Sequence, residues 1–262
     1  MGREEGVCNP PIDFFSVSTS GFPDPREKGR MGWIQGYDVL PPQKNLTIGE
    51  HMARIDDYKT ARAMAVAELT QRNPKGVASR SRSEYVFEEG KEGLMVPFFG
   101  QPRRVMWPEV TVSPVGDGPE LPLTEQILIL HYLQNTAGEE PEGVNIDFKQ
   151  VPQGGFYWSA FVSRAQKPLL MTFGNDPGFY LEVAAAQGGD IQPFGDASAR
   201  FLAFPLVPVT HVLWRGDDEF DPEASILFDS TIPGHLVTED IAALAGASVY
   251  RLMAAARQLR QK

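Results

Sequence analysis

The chain has 262 residues, of which 42% are hydrophobic and 22% are charged, a composition that is ordinary for a globular protein with a sizeable core. Its formal net charge of −10 argues against nucleic acid as a main partner, because nucleic-acid-binding proteins generally present a basic surface to the phosphates. The single cysteine, Cys8, excludes an internal disulfide and any iron–sulfur cluster ligated by this chain alone.

Targeting and membrane-spanning patterns are also missing from the sequence. The first ten residues, MGREEGVCNP, contain no apolar core of the kind that a signal peptide has. No run of about 18 apolar residues follows anywhere in the chain. We therefore expect a cytoplasmic protein without a membrane partner.

Residues 1–45 differ in composition from the rest of the chain. They are rich in proline and glycine, yet they also carry the aromatic residues Phe14, Phe15, Phe22, Trp33 and Tyr37. Because a disordered tail normally lacks such aromatics, we predict an extended arm that packs on its own core or on a partner subunit. Residues 46–262 are predicted to form a single α+β domain.

The predicted domain begins with two helices and a run of strands. Thr47 and Glu50 form a capping-box pattern ahead of apolar residues at helical spacing. Asn73 and Pro74 then suit the N-cap and first position of a short second helix. Four β-prone runs between residues 84 and 114 predict an antiparallel meander of three or four strands.

Helices and strands alternate in the remainder of the chain. The segment LTEQILILHYLQ predicts a helix that ends before Gly138, and strand material is expected on both sides of the Gly154–Gly155 pair. A short helix is predicted to close at Gly188, and another over GDASARFLAFP is expected to be capped by Asp196.

The last predicted elements are two buried strands and a long helix. LVPVTHVLW and ASILFD are apolar and β-branched, which is typical of buried strands. The final helix is expected to be capped by Thr238 or the acids after it. Together the elements predict an α+β fold in which an antiparallel or mixed sheet is flanked by helices, with the extended arm at the N-terminus.

Four phrases, taken in order, resemble one family: LMVPFFGQPRRVMWP, ILILHYLQ, FGDASARFLAFPLVPVTHVLWRGDDEF and ASILFDSTIPGHLVTEDIAAL. The chain is similar, over residues 47–260, to the family called domain of unknown function 3786, found in anaerobic bacteria and archaea. Some members resemble fusions to an iron–sulfur domain of the kind seen in corrinoid iron–sulfur proteins. The resemblance therefore implies corrinoid or other one-carbon chemistry in an anaerobe. Because this chain lacks the cysteines of those fusions, any cluster is expected on a partner, a corrinoid or iron–sulfur protein.

The acidic stretch WRGDDEFDPEASILFD raises the question of a metal site. Asp217, Asp218, Glu219 and Asp229 are candidate ligands, since hard cations take several carboxylate oxygens. The same residues suit a turn between two strands or a contact surface for a cationic partner. Asp229 follows a buried strand, so we expect it to accept hydrogen bonds from a backbone N–H or from an arginine such as Arg200 or Arg215.

The four histidines of the chain are His51, His131, His211 and His235. His131 lies inside an otherwise apolar helix, which favours either a hydrogen-bonded core residue or an axial ligand to a tetrapyrrole metal. His235 is either a helix N-terminal cap or a second candidate ligand, and Glu239 or Asp240 is expected near it. His51 and His211 are interpreted as structural.

An aromatic group is the remaining candidate for a binding surface. Tyr157 and Trp158, with neighbouring phenylalanines, would either line a flat cofactor pocket or belong to the core. Motifs of zinc hydrolases, of nucleophilic hydrolases and of phosphate-binding loops are absent from the sequence.

Three functions from different classes follow from these patterns. The first is a non-catalytic cofactor-binding or accessory protein for a corrinoid or another tetrapyrrole. The second is a metal-dependent enzyme that uses the acids between 217 and 229. The third is a scaffold subunit whose N-terminal arm clasps a partner protein.

Overall fold

The computed structural model describes residues 48–261, with side chains described from residue 57 onward. The predicted arm, residues 1–45, lies outside this part of the chain. So does the predicted capping box, because Thr47 and the side chain of Glu50 are not among the described groups.

Two helices open the described part, as predicted. The first, α1, spans Ile48–Thr70, and the second, α2, spans Pro74–Ser81. The Asn73 side chain accepts a hydrogen bond from the backbone N–H of Lys75 at 2.9 Å, which confirms the predicted N-cap.

The predicted antiparallel meander is confirmed as a four-stranded sheet. Its strands, in spatial as well as chain order, are β1 (Glu84–Glu88), β2 (Lys91–Phe98), β3 (Gln101–Met106) and β4 (Thr111–Pro114). Leu94, Val105 and Val112 stand opposite one another across β2, β3 and β4, and all three are buried. This face of the sheet therefore belongs to the core.

Helix α3 spans Leu123–Asn135, as the apolar spacing predicted. It is anchored from inside the core, where the rings of Tyr132 and Phe204 stack with centroids 4.2 Å apart. The Tyr132 hydroxyl donates to the backbone carbonyl of Ser81 at 2.8 Å, which satisfies its polar atom in the interior.

The strand predicted around Gly154 is wrong on its C-terminal side. After a short strand, β5 (Asn145–Asp147), the chain forms helix α4 (Gly154–Phe161), a π-helical turn (Val162–Gln166) and helix α5 (Lys167–Phe173). Helix α4 begins at position 154, which requires glycine because a Cβ placed there would lie 1.9 Å from the backbone oxygen of Phe148. The glycine thus permits a close approach at a helix start and does not interrupt a strand.

Helix α6 follows at Pro177–Ala186, where the sequence predicted it. The Asp176 side chain caps α6 by accepting the backbone N–H of Phe179 at 2.9 Å.

A second antiparallel sheet holds the last strands of the chain. In spatial order its strands are β5, β9 (Glu223–Asp229), β8 (Val207–Trp214), β7 (Ala197–Phe204) and β6 (Asp190–Ile191). The helix predicted over the residues of β7 is wrong. Its side chains alternate between the two faces of the sheet, since Arg200 and Leu202 are exposed whereas Phe201 and Ala203 are buried. Asp196 accepts the backbone N–H of Arg215 at 2.7 Å and caps no helix.

The chain ends in helix α7, Thr238–Leu259. The Thr238 hydroxyl donates to the backbone carbonyl of Pro152, so the predicted cap by Thr238 is wrong. Glu239 and Asp240 lie in the first turn, where negative charge stabilises the helix dipole.

Buried apolar side chains from both sheets and from the helices form one continuous core. Helix α7 packs against α3, α4, α5 and α6, and so occupies a central place among the helices. The α+β fold with antiparallel sheets is thus confirmed. None of the helices between residues 48 and 261 combines the length and the apolar character that crossing a bilayer requires.

Candidate functional site

His131 lies on α3 among buried neighbours, yet its own side chain reaches the surface. Leu130, Tyr132 and Leu133 are fully buried, whereas the imidazole of His131 keeps 21% of its area exposed. A lone polar ring at the edge of an apolar helix is therefore available to a molecule outside the protein.

Asp240 orients this imidazole from the first turn of α7. Both carboxylate oxygens, Oδ1 and Oδ2, lie within hydrogen-bond distance of His131 Nδ1, at 3.0 and 2.9 Å. Because a carboxylate only accepts, we assign the proton to Nδ1, which leaves the lone pair on Nε2. In the described part of the chain no residue forms a hydrogen bond with Nε2.

The electrostatics of the pair make the imidazole of His131 a stronger base. The hydrogen bond with Asp240 raises the pKa of His131 above its ordinary value of 6.5, and partial burial of the ring opposes this rise. The charges of Asp240 and Glu239 add to the increase. A carboxylate behind one nitrogen and an open second nitrogen is the arrangement that proteins use to orient a metal-binding histidine or a proton acceptor.

His235, the second candidate ligand, is placed differently. Its ring is fully buried, and Nδ1 lies 2.8 Å from the hydroxyl of Thr136. Burial lowers the pKa of His235, and the carboxylates of Glu139 and Asp229 oppose that shift. Glu239 or Asp240 was expected near His235, but the carboxylates that act on His235 are Glu139, Asp229 and Glu140, and Asp240 hydrogen-bonds to His131.

His211 is a core residue of β8. It is completely buried, and its Nε2 lies 2.9 Å from the hydroxyl of Ser248 on α7. Because that hydroxyl donates to the Ala245 carbonyl, it accepts from His211, and the ring is neutral. Burial lowers the pKa of His211 to about 3.

The aromatic group divides between the core and the surface. Phe161 is buried and stacks on Phe148 with centroids 4.3 Å apart. Tyr157 and Trp158 are half-buried on α4, and the ammonium group of Lys149 lies 4.3 Å from the centroid of the Trp158 ring. The Tyr157 ring contacts Phe156, and the Trp158 ring contacts Phe161 and Lys149. None of these contacts includes a candidate histidine.

The acids of the stretch 214–229 do not come together as a group. The predicted strand–turn–strand is present as β8 and β9, and in its turn Asp217 accepts the backbone N–H groups of Glu219 and Phe220. Asp229 lies at the far end of β9 from this turn, and β9 is about 20 Å long at roughly 3.3 Å per residue. Over residues 57–261, no three His, Cys, Asp or Glu side chains are placed to hold a metal ion.

Asp229 instead fastens a loop. Its two oxygens accept the backbone N–H groups of Glu142, Gly143 and Thr231, and the Thr231 hydroxyl, at 2.7 to 3.1 Å. The predicted acceptance from backbone N–H groups is confirmed. The predicted arginine partners are wrong, because Arg200 pairs with Asp190 and the backbone of Arg215 bonds to Asp196.

Two of the open clefts on the described surface reach several hundred Å³, and neither has His131 in its wall. One, of about 400 Å³, is lined by residues of α5, α7 and the turn before α6, including Met171, Met253 and Arg257. The other, of about 490 Å³, includes Arg62 and Leu121. The imidazole of His131 therefore opens onto the surface between α3 and α7 and not into either cleft.

The fold and this pair of residues define an α+β protein with a carboxylate-oriented histidine at its surface. A family model described as Domain of unknown function (DUF3786) matches residues 73–251, which is more than half of the chain. The protein belongs to this family. A search of the curated proteins and a search of the solved structures each gave no match.

Proposed function

We propose that this protein is a non-catalytic accessory protein that binds a corrinoid or another tetrapyrrole, with His131 as the axial ligand of its metal. One observation carries the proposal: Asp240 holds Nδ1 of His131 at 2.9 and 3.0 Å while Nε2 meets no partner in residues 57–261. Metal-binding histidines commonly donate their second N–H to a carboxylate in this way.

The residues present fit an axial ligand at one position and not at the other. His131 offers an exposed nitrogen on a ring whose tautomer is fixed by Asp240. His235 offers only buried nitrogens, and its ring is held by Thr136 inside the core. Between the two candidate histidines, the proposal therefore selects His131.

Each part of the pair has a distinct role in binding. Asp240 keeps the proton of the neutral ring on Nδ1, so the lone pair of Nε2 remains free for a metal. The nearby charge of Glu239 favours a cationic centre beside His131. A corrinoid metal, when bound, supplies carrier chemistry for one-carbon groups, and the protein residues bind and orient it.

The setting of this activity is also part of the proposal. The family resemblance supports one-carbon metabolism in the cytoplasm of an anaerobe, alongside a corrinoid or iron–sulfur partner protein. A single cysteine, Cys8, leaves any cluster to that partner.

An anaerobic absorption titration with a cobalamin, and with haem in parallel, tests the proposal. We expect a saturable change in the visible spectrum that is lost in His131→Ala and weakened in Asp240→Asn. Asn135→Ala, an exposed change at the end of the same helix, serves as the matched control and should bind like the parent protein. An unchanged spectrum with both tetrapyrroles, or full binding by His131→Ala, would contradict it.

A further inference from the structure

Arg251 on α7 is a half-buried cation that lacks a carboxylate partner. Its guanidinium carbon lies 5.1 Å from the centroid of the Phe99 ring, so the aromatic face supports the planar group. Within the described part of the chain, Arg251 forms neither a hydrogen bond nor an ion pair. None of its nitrogens is among the buried, unpartnered atoms of the described chain, so an anion from outside the protein can reach its N–H groups.

The nearest opposite charge is already used. Glu125 on α3 is close enough to affect the pKa of Arg251, but it forms an ion pair with Arg103 at 2.6 Å. The side chains of Arg103 and Glu125 keep only 12% and 17% of their areas exposed, so this pair is largely shielded from water. Two cations thus share one anion, and the positive charge of Arg251 is left over.

Arg251 lies on the same edge of α7 as Asp240. The positions Asp240, Leu244, Ala247 and Arg251 follow one another at intervals of four, three and four residues, which is one face of a helix. Both ends of this edge face α3, because Asp240 bonds to His131 and Arg251 lies near Glu125. The ends are about 16 Å apart along the helix axis, at roughly 1.5 Å per residue.

Between the two ends, this edge carries Leu244, which is buried, and Ala247, which is half-buried. Negative charge from Asp240 and Glu239 lies at the His131 end, and the Arg251 end is positive. The edge is therefore electrically polar along its length.

We propose that Arg251 binds an acidic group, a carboxylate or a phosphate, of the ligand that His131 holds. This inference rests on the proposed function and adds the chemistry of the second contact. A guanidinium that is held flat on an aromatic ring presents its N–H groups in a fixed fork, which matches the paired oxygens of such anions. Haem offers propionate carboxylates, and cobalamin offers the phosphate of its nucleotide loop.

Paired probes test this contact. Haem is compared with its dimethyl ester, and cobalamin with aquacobinamide, which lacks the nucleotide loop and its phosphate but leaves an axial position open to His131. We expect Arg251→Gln to weaken binding of the acidic member of a pair by roughly tenfold to hundredfold and to leave the other member unchanged. The pair that responds identifies the anion as a carboxylate or a phosphate.

Two further variants keep the test decisive. Arg251→Lys retains the charge but loses the fork, so it should fall between the parent and Arg251→Gln. Arg257→Gln removes an exposed arginine six residues beyond Arg251 on the same helix and should bind like the parent.

The outcomes separate this inference from the proposed function. Binding that depends on His131 but is equal for both members of each pair, or is unaffected by Arg251→Gln, overturns this inference alone. Failure of the parent protein to bind any of the four probes overturns both.

Discussion

The two carboxylate oxygens of Asp240 lie 3.0 and 2.9 Å from a single ring nitrogen of His131, although 109 residues separate them in the chain. This pair joins the first turn of α7 to the last turns of α3. It links the two helices and leaves the other nitrogen of the imidazole exposed.

Asp240→Asn should lower the pKa of His131, because the hydrogen bond with the carboxylate is the main cause of its increase. A histidine whose pKa is raised on folding stabilises the protein below its unfolded value of 6.5, and this contribution is lost as the pH rises through the folded value. The variant should therefore lose about 1 kcal/mol at pH 5 and less at pH 8. Titration of the His131 ring by NMR and urea unfolding at both pH values measure the two effects. An unchanged His131 titration would contradict the assignment.

His211 should make the protein less stable in acid. Its pKa is lowered to about 3 in the folded state, so between pH 6.5 and 3 the unfolded chain binds a proton that the folded protein does not. The free energy of unfolding should therefore decrease as the pH falls through this window, by up to about 1.4 kcal/mol per pH unit.

Urea unfolding of His211→Gln across this pH window should show a smaller slope than the parent. His131→Gln is the matched control, because the contribution of His131 is constant below pH 6.5 and its loss should leave the slope in this window unchanged. Equal slopes for the parent and His211→Gln would show that His211 takes up its proton in the folded protein.

Asp229→Ala should destabilise the protein strongly. It removes the acceptor of three backbone N–H groups and one hydroxyl in a buried place, which we expect to reduce the free energy of unfolding by about 3 kcal/mol. Asp217→Ala, in the exposed turn at the other end of β9, should lose about 1 kcal/mol or less. Urea denaturation of the two variants compares them directly. Equal losses would argue against the anchoring role of Asp229.

Gly154→Ala and Gly155→Ala should have opposite effects. A Cβ at position 154 would lie 1.9 Å from the Phe148 carbonyl oxygen, so the backbone must move and at least about 2 kcal/mol should be lost. At position 155 no atom lies within 4 Å of the added carbon, and replacement of a helical glycine should add about 0.5 kcal/mol. Thermal unfolding of both proteins decides this. A stabilised Gly154→Ala protein would mean that α4 begins elsewhere.

The sequence predicted those elements whose signals are local. Asn73 followed by Pro74 specifies the start of α2, and the apolar runs around Val209 and Ile226 specify two buried strands. Strand β7 was mistaken for a helix because Ala197, Ala199 and Ala203 favour helices locally, and pairing with β8 decides their conformation instead. Gly154 and Gly155 resembled a break in a strand, since sequence alone does not reveal the close approach of Phe148.

The sequence predicted one residue of the candidate site, His131, but not the carboxylate that pairs with it. His131 was identified because a histidine is unusual within an apolar helix, and its position on α3 follows from periodicity. Its partner Asp240 had no local signal that linked it to residue 131, because the pairing depends on how α3 and α7 pack. Arg251 was missed for the same reason, since its lack of a carboxylate partner is visible only once its neighbours are known.

The turn between β2 and β3 protects part of the edge of the second sheet from pairing with another copy of the protein. Strand β6 covers the outer edge of β7 only at Ala199 and Arg200. Beyond β6, the backbone N–H of Phe99, in the β2–β3 turn, donates to the backbone carbonyl of Ala203 on β7 at 2.9 Å. An uncovered strand edge is a template for pairing with another chain. Damage to the β2–β3 turn would therefore open the second sheet to aggregation, although that sheet itself remained intact.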